Sequence, residues 1–249
     1  MSAAKHTALA RKSAEEGRKQ SAAAPSPFPP IADYAFLSNC HTGALVAPDG
    51  SIDWLCVPRF DAPSVFGSLL DRQAGSFRFG PFGINHPCTR IYEPGTNVLV
   101  TTWKTPSGWI LVRDALTIGP RDHEDTITPH TRPPADYDAD HMLVRTVLGL
   151  EGMVEVELVC EPAFDYGRVS AQWTAVDADR HVADASGAGQ TIRLRSDLAL
   201  GIEGNSVRAH HVLGPGDRAY RSLLGRGTRR TAGRRRGRDA NRSHESLLA

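Results

Sequence analysis

The residues of this chain suited to acid–base chemistry are scattered carboxylates: Asp53, Asp61, Asp114, Glu161 and Asp165. Hydrolysis of a glycosidic bond requires two carboxylates flanking the bond, about 5–5.5 Å apart for retention or about 6.5–9.5 Å apart for inversion. Spacing along the sequence does not define such separations. The chain also lacks GxSxG, GxxxxGK[ST] and HExxH motifs, and no GxGxxG follows a predicted strand. By motif it contains no complete active site, and we predict no catalytic residue.

Two groups of histidines carry donor atoms that metal ions bind. The run 123–125 (His-Glu-Asp) and His130 lie in a polar, Pro-rich stretch, whose composition accounts for them equally well as ordinary loop residues. His210 and His211 are neighbours in a predicted strand, and neighbouring side chains of a strand point to opposite faces. The two therefore do not share one ion without distortion, and we predict no metal site.

Residues 218–249 form a basic segment without a hydrophobic period. They contain ten Arg against Asp239 and Glu245, although the whole chain has a formal net charge of only +1. An Arg-rich arm can neutralise nucleic-acid phosphates, but these Arg are not interleaved with aromatic residues and follow no helical stripe. Out-of-frame translation of GC-rich DNA gives the same Arg-, Gly- and Ala-rich alphabet. We interpret the segment as a disordered tail of that kind and predict no nucleic-acid partner.

The overall composition is that of a soluble globular protein. The 249 residues are 40 % hydrophobic and 23 % charged, with 23 Gly and 17 Pro. The four cysteines form no CxxC or other metal-like spacing, no apolar core follows a basic N-terminus, and no run approaches the roughly 18 apolar residues of a membrane span. We therefore expect reduced, partly buried cysteines, no membrane partner and a cytoplasmic protein.

The pattern of the remaining residues predicts an all-β fold, a large antiparallel β-sandwich with one short helix. Residues 1–27 are predicted to be a disordered leader, 28–217 the sandwich and 218–249 the basic tail. Pro48-Asp49-Gly50 predicts a hairpin turn between runs 43–47 and 51–57, and an apolar 1-4-5 spacing predicts the short helix around 63–70. Polar loops are predicted at 119–140 and 177–189. The further predicted strands are 75–79, 89–93, 96–104, 108–116, 142–149, 153–160, 169–176, 190–195 and 205–213.

The stretch 31–71, IADYAFLSNCHTGALVAPDGSIDWLCVPRFDAPSVFGSLLD, resembles the opening of the trehalase and glucoamylase-like proteins of glycoside hydrolase family 15, particularly the actinobacterial trehalases. The resemblance covers about residues 28–220. It continues through VRDAL (112–116), HMLVRTV (141–147), EPAFDYGR (161–168) and LGIEGN (200–205).

The resemblance implies that this chain is an N-terminal β-sandwich domain. In the family this domain packs on a C-terminal α/α-barrel that carries both catalytic glutamates and hydrolyses α,α-trehalose or related α-glucosides to glucose with inversion. Some members require phosphate and magnesium. The catalytic glutamates are absent from this chain, so we expect a domain truncated before its catalytic part and inactive alone. The alternative is a stand-alone module that binds a carbohydrate or a catalytic partner through the aromatic faces of Trp54, Trp103, Trp109 and Trp173.

One loop is a candidate for contact with the substrate in the intact family. Trp54 and the run Arg59, Phe60 and Asp61 combine an aromatic face, a guanidinium and a carboxylate near a strand end. These residues are expected to face the barrel and help to close the sugar pocket. The competing interpretation is a core Trp followed by an Arg–Asp pair that braces the predicted helix.

Overall fold

The computed structural model describes residues 28–118 and 142–226, which form two antiparallel β-sheets that share one core. The predicted all-β antiparallel architecture is confirmed. A 3₁₀ turn, Ile31–Asp33, precedes the first strand. The predicted leader 1–27, the predicted loop 119–140 with its histidine group, residue 141, and residues 227–249 lie outside the described residues.

Sheet 1 has the strand order β1-β2-β3-β5-β10-β16-β15, with β4 paired to β3. Its strands are Ala35–Ser38 (β1), Gly43–Val46 (β2), Ser51–Cys56 (β3), Ser64–Phe66 (β4), Ser76–Pro81 (β5), Val154–Glu161 (β10), Gly201–Glu203 (β15) and Ser206–Leu213 (β16).

Sheet 2 has the order β12-β13-β14-β17-β9-β8-β7-β6. Its strands are Thr89–Tyr92 (β6), Leu99–Thr105 (β7), Gly108–Leu116 (β8), Met142–Gly152 (β9), Gln172–Ala175 (β12), Val182–Gly187 (β13), Gln190–Ser196 (β14) and Arg218–Arg226 (β17). A two-residue strand, Val169–Ser170 (β11), lies between β10 and β12 in sequence and forms antiparallel bridges with Ala163 and Phe164.

The inner faces of both sheets contribute to one hydrophobic core. Sheet 1 supplies the fully buried rings of Phe77 and Phe79, and sheet 2 supplies Trp103, Ile110 and Leu194. Buried and partly exposed residues alternate along β8 and β9, as expected for strands with one face on a core. This alternation is the physical basis of the correct strand predictions.

A buried arginine joins the two sheets within the core. Arg145 of β9 is fully buried, and its Nε donates to Asp114 Oδ1 of β8 at 2.8 Å. Its other nitrogens donate across to sheet 1, to the carbonyl oxygens of Phe77 (2.6 Å) and Gly50 (2.5 Å). The guanidinium also lies 5.0 Å from the centroid of the Phe77 ring. The core is therefore linked by a charged group as well as by apolar packing.

The helix predicted around 63–70 is wrong. Ser64–Phe66 is strand β4, which pairs with β3, and a turn follows it. Val65 and Phe66 are fully buried, whereas Leu70 is exposed. The apolar 1-4-5 spacing therefore arises from a buried strand and a turn. The short helical segment that the structure does describe is Phe164–Gly167, a single turn in which Asp165 and Tyr166 have positive φ angles.

Two strands lie in segments predicted to be irregular. β13 falls within the predicted polar loop 177–189, where the small side chains of Ala183 and Ala185 are buried but add little to a hydrophobic pattern. β17 falls within the predicted basic tail. Its backbone pairs with β14 on one side and β9 on the other, and Ala219 is buried. The sandwich thus extends through Arg226, beyond the boundary predicted at residue 217.

Candidate functional site

One end of the sandwich collects the loop predicted to face a substrate. We call it the β17 end, because β17 runs toward it and its Leu224 pairs with Met142 at the start of β9. There Asn39 Nδ2 donates to the carbonyl oxygen of Thr117 at 3.0 Å, and the backbone N–H of Phe60 donates to the carbonyl oxygen of His41 at 2.9 Å. The turn 39–42 and the loop 57–63 are therefore held at the end where β17 terminates.

A row of apolar side chains crosses the outer face of sheet 1 near this end. Phe36 of β1 pairs with Leu45 of β2, which pairs with Trp54 of β3. Directly opposed residues of antiparallel strands share a face. The next pair along the same strands, Leu37 and Ala44, is fully buried and points into the core, so Phe36 and Leu45 point outward. The Tyr166 ring extends the row, with its centroid 6.5 Å from that of Trp54. We call Phe36, Leu45, Trp54, Tyr166 and the adjacent Phe60 the apolar row.

Gly43 allows two rings of the row to approach the sheet. A Cβ at this position would lie 2.5 Å from Phe36 Cε2 and 3.1 Å from Phe60 Cε1. No side-chain carbon tolerates the shorter contact without a shift of the ring. The absence of a side chain at Gly43 therefore lets Phe36 and Phe60 lie over β2, which connects the loop 57–63 to the row.

The loop residues Arg59 and Asp61 form an exposed ion pair with an N–O distance of 3.0 Å. The helix that this pair was alternatively expected to brace is absent, since β4 follows the loop. Trp54 is only partly buried and does not belong to the hydrophobic core cluster, whereas Trp103 is fully buried within it. Trp54, Arg59, Phe60 and Asp61 thus lie on the surface of the β17 end.

The turn that carries Tyr166 has an unusual backbone. Asp165 and Tyr166 have φ angles of 52° and 58°, and Gly167 follows with 86°. The left-handed region costs a non-glycine residue roughly 1–2 kcal/mol, and such conformations cluster at functional sites. The sequence does not predict this turn, because Tyr rarely adopts the left-handed conformation and only the Gly indicates a turn.

The five candidate carboxylates are dispersed, and each is engaged by a different partner. Asp53 accepts from Tyr34 and Ser68, Asp114 from Arg145 and Glu161 from Asn205. Asp61 pairs with Arg59 and Asp165 with Arg168. These contacts are the ion pairs and hydrogen bonds of a structural domain.

Asp53 has the most perturbed environment of these carboxylates. Burial raises its pKa above the usual range, although hydrogen bonds from Tyr34 Oη (2.8 Å) and Ser68 Oγ (2.8 Å) oppose the shift. Burial and the adjacent carboxylate also raise the pKa of Tyr34. Asp53 lies at the bulge of β3, next to Trp54, so the same strand anchors this buried network and the apolar row.

Charged and titratable side chains lie on the outer face of sheet 1 away from the apolar row. Arg78 Nη1 lies 3.1 Å from Glu157 Oε2, with both side chains almost fully buried. His210 lies 3.6 Å from Glu157, and its neighbour His211 occupies the next position of β16. Among residues 28–118 and 142–226, no group of three or more His, Cys, Asp or Glu has the arrangement of a metal site.

The cysteines are free thiols, as predicted, with Cys56 and Cys160 buried and Cys40 and Cys88 exposed. Burial raises the pKa of both buried thiols. In the part of the chain that the structure describes, no helix is long and apolar enough to cross a membrane.

Comparison with known proteins relates this chain to trehalases. Residues 18–197 match the family model described as trehalase-like, N-terminal. The chain is 50 % identical over 204 residues to the trehalase of Mycolicibacterium smegmatis and 48 % identical over 204 residues to that of Mycobacterium tuberculosis. Each match covers 80 % of this chain but 30 % of the relative.

A more distant relative, trehalase 1 of Sulfolobus acidocaldarius, is 45 % identical over 84 residues, which are 34 % of this chain and 15 % of that protein. The chain thus spans less than a third of the length of the mycobacterial relatives and corresponds to an N-terminal part of them. It belongs to the trehalase-like N-terminal domain family.

Proposed function

We propose that this chain is the N-terminal domain of a trehalase of glycoside hydrolase family 15 and supports a catalytic part outside the chain. The identity of 50 % to the M. smegmatis trehalase over 204 residues carries the proposal. The reaction in the complete enzyme is hydrolysis of α,α-trehalose or a related α-glucoside to glucose, with inversion, by glutamates of an α/α-barrel. The candidate carboxylates of the described residues lie apart from one another, and each is paired with a different partner. This arrangement favours a structural role for the domain over a catalytic one. A cytoplasmic location stays a prediction, which the four free thiols support.

Some family members require phosphate and magnesium. Among the described residues, no group of three or more His, Cys, Asp or Glu side chains has the arrangement of a metal site, so the described part does not fit a magnesium site. We assign no step of the reaction to either ion here.

A chimeric enzyme tests the proposed role. The matched N-terminal part of the M. smegmatis trehalase is replaced by residues 1–226 of this chain, and glucose release from trehalose is measured. We expect the chimera to hydrolyse trehalose and the isolated chain to release no glucose from trehalose or maltose. Robust turnover by the isolated chain, or a folded but inactive chimera, contradicts the proposal.

Within this role, Trp54, Arg59, Phe60 and Asp61 are proposed to face the sugar pocket of the catalytic part. Their place at the β17 end and the exposure of the Arg59–Asp61 pair support this proposal. A guanidinium and a carboxylate can donate to and accept from sugar hydroxyls. In the chimera, Arg59→Ala and Asp61→Ala should raise KM or lower kcat at unchanged thermal stability, whereas wild-type kinetics would contradict the assignment.

A second candidate is a stand-alone module that binds carbohydrate. The exposed rings of Phe60 and Tyr166 favour it, while Trp103 is fully buried and presents no stacking face. Titration of the isolated chain with trehalose distinguishes the two functions. Saturable binding supports the module, and the absence of binding supports the domain of a larger enzyme.

A further inference from the structure

The apolar row presents exposed aromatic rings on the outer face of sheet 1, near the β17 end. Phe36 is 48 % exposed, Phe60 55 % and Tyr166 48 %. Phe36 is paired with Leu45 and Leu45 with Trp54, and the Trp54 ring lies next to the Tyr166 ring. Contiguous apolar surface rimmed by polar groups is typical of an interaction site. The rim here includes the ion pairs Arg59–Asp61 and Arg168–Asp165.

The rings of the row are held in place before any partner binds. Tyr92 Oη accepts from the backbone N–H of Phe36 at 2.8 Å and donates to its carbonyl oxygen at 2.9 Å. Gly43 provides the space under two rings, and the left-handed turn fixes the position of Tyr166. Rigid aromatic anchors lose little conformational entropy on binding, which favours them as centres of interfaces.

The edge of sheet 1 beside the row is closed to strand addition. The Tyr92 hydroxyl is hydrogen-bonded to both the backbone N–H and the carbonyl oxygen of Phe36, so neither group is available to an added strand. Arg90 further ties β6 to sheet 1 by donating to the carbonyl oxygens of Asp33 and Val46, each at 2.7 Å. A partner therefore has to pack on the face of the sheet, through side chains, rather than extend it.

We infer that the catalytic part of a trehalase docks on the apolar row, an inference that rests on the proposed function. Each mycobacterial relative extends far beyond the matched 30 % of its length, so the region that follows supplies a large partner. β17 terminates at the same end of the sandwich as the loop 57–63. A chain that continues from β17 therefore emerges at the end of the sandwich that carries the loop 57–63. Docking of the catalytic part on the row brings Arg59 and Asp61 to the edge of the partner.

The nature of the row favours a protein partner over a sugar. The charged side chains of the pairs Arg59–Asp61 and Arg168–Asp165 lie at its rim and not within it. The row itself presents five apolar side chains from three strands, a loop and a turn. A disaccharide requires polar groups that are available to its hydroxyls, whereas a domain interface has an apolar centre and a polar rim.

Hydroxyl-radical footprinting of the isolated chain and of the chimera tests the inference. Labelling of Phe36, Phe60 and Tyr166 should fall by about three-fold or more in the chimera, because interface centres are desolvated. Phe82 is the matched control, since it is also half exposed and follows β5 at the opposite end of sheet 1. Its labelling should not change.

The outcomes separate the inference from the proposed function. A chimera that hydrolyses trehalose while the row stays fully labelled overturns the docking surface and leaves the proposed function intact. A folded chimera without activity overturns the proposed function and the docking with it. Protection of the row by trehalose alone in the isolated chain makes it a sugar site and also overturns the docking.

A second measurement does not depend on the folding of the chimera. An exposed, rigid apolar surface binds anilinonaphthalene sulfonate, so the full chain should show enhanced dye fluorescence. The double variant Phe36→Ser/Tyr166→Ser should lower this signal by about two-fold or more, whereas Phe82→Ser should leave it nearly unchanged. Equal effects of the two variants would show that the row is no distinct docking surface.

Discussion

Replacement of Arg145 by Met removes the charged link between the two sheets. Met fills much of the same volume, but it leaves the Asp114 carboxylate buried without its cation and deprives the carbonyl oxygens of Phe77 and Gly50 of their donor. Removal of one partner of a buried ion pair costs about 3–5 kcal/mol. Since domains are stabilised by about 5–15 kcal/mol in total, Arg145→Met should remove a large share of the free energy of unfolding.

Urea unfolding followed by tryptophan fluorescence measures this effect, since Trp103 is fully buried and reports on the core. Arg113→Met is the matched control. Arg113 lies on the neighbouring strand β8 and forms an ion pair with Glu93, also at 2.8 Å, but both side chains are more than a third exposed. Its replacement should cost less than about 1 kcal/mol, because solvent screens exposed pairs.

The double variant Arg145→Met/Asp114→Leu refines the prediction. Replacing both charges removes the unpaired carboxylate, so the double variant should be less destabilised than the sum of the two single variants. A loss for Arg145→Met as small as that for Arg113→Met, or strict additivity in the double variant, would refute the role assigned to this pair.

Three further variants probe the site. Burial raises the pKa of Asp53, so the folded state retains its proton to higher pH than the unfolded chain, and stability is lost as pH rises from the usual 3.8 through the raised value. Asp53→Asn supplies an amide group that can hydrogen-bond to Tyr34 and Ser68 but does not titrate. Its stability relative to wild type in urea titrations should therefore increase as the pH rises above 3.8, and a constant difference would contradict the burial effect. Tyr166→Asn places a residue that tolerates the left-handed region in the strained turn and should raise the free energy of unfolding by about 0.5–1 kcal/mol, while a loss in thermal unfolding would argue against strain. Gly43→Ala should displace the Phe36 and Phe60 rings and increase their radical labelling in the isolated chain, and unchanged labelling would show that the glycine is not needed for their approach.

Local turn chemistry made the hairpins predictable from sequence. At the turn between β2 and β3, Gly50 has a φ of 83° and Asp49 Oδ1 accepts from the backbone N–H of Ser51 at 3.0 Å. Both features follow from residue types that favour turns. The trehalase-like resemblance was likewise carried by short-range sequence patterns and is confirmed by the family match over residues 18–197.

The features that sequence did not predict depend on tertiary partners. The sequence of β17 has the pattern of a basic tail. It forms a strand in the structure because its backbone pairs with β14 on one side and β9 on the other. Arg145 shares the inward phase of Leu143 and Val147 along β9, but the partners that make its burial possible lie on other strands and in a turn. Phe36 lies in the apolar row because of the register between β1 and β2, and Tyr166 lies there because of a left-handed turn that its residue type does not favour. Neither cause is visible in the sequence.

Trehalose hydrolysis by the chimera that carries residues 1–226 of this chain in the M. smegmatis enzyme decides whether the chain is a functional N-terminal trehalase domain. We predict glucose release by the chimera and none by the isolated chain under the same conditions. A folded chimera without glucose release, or an isolated chain that turns trehalose over, would contradict this assignment.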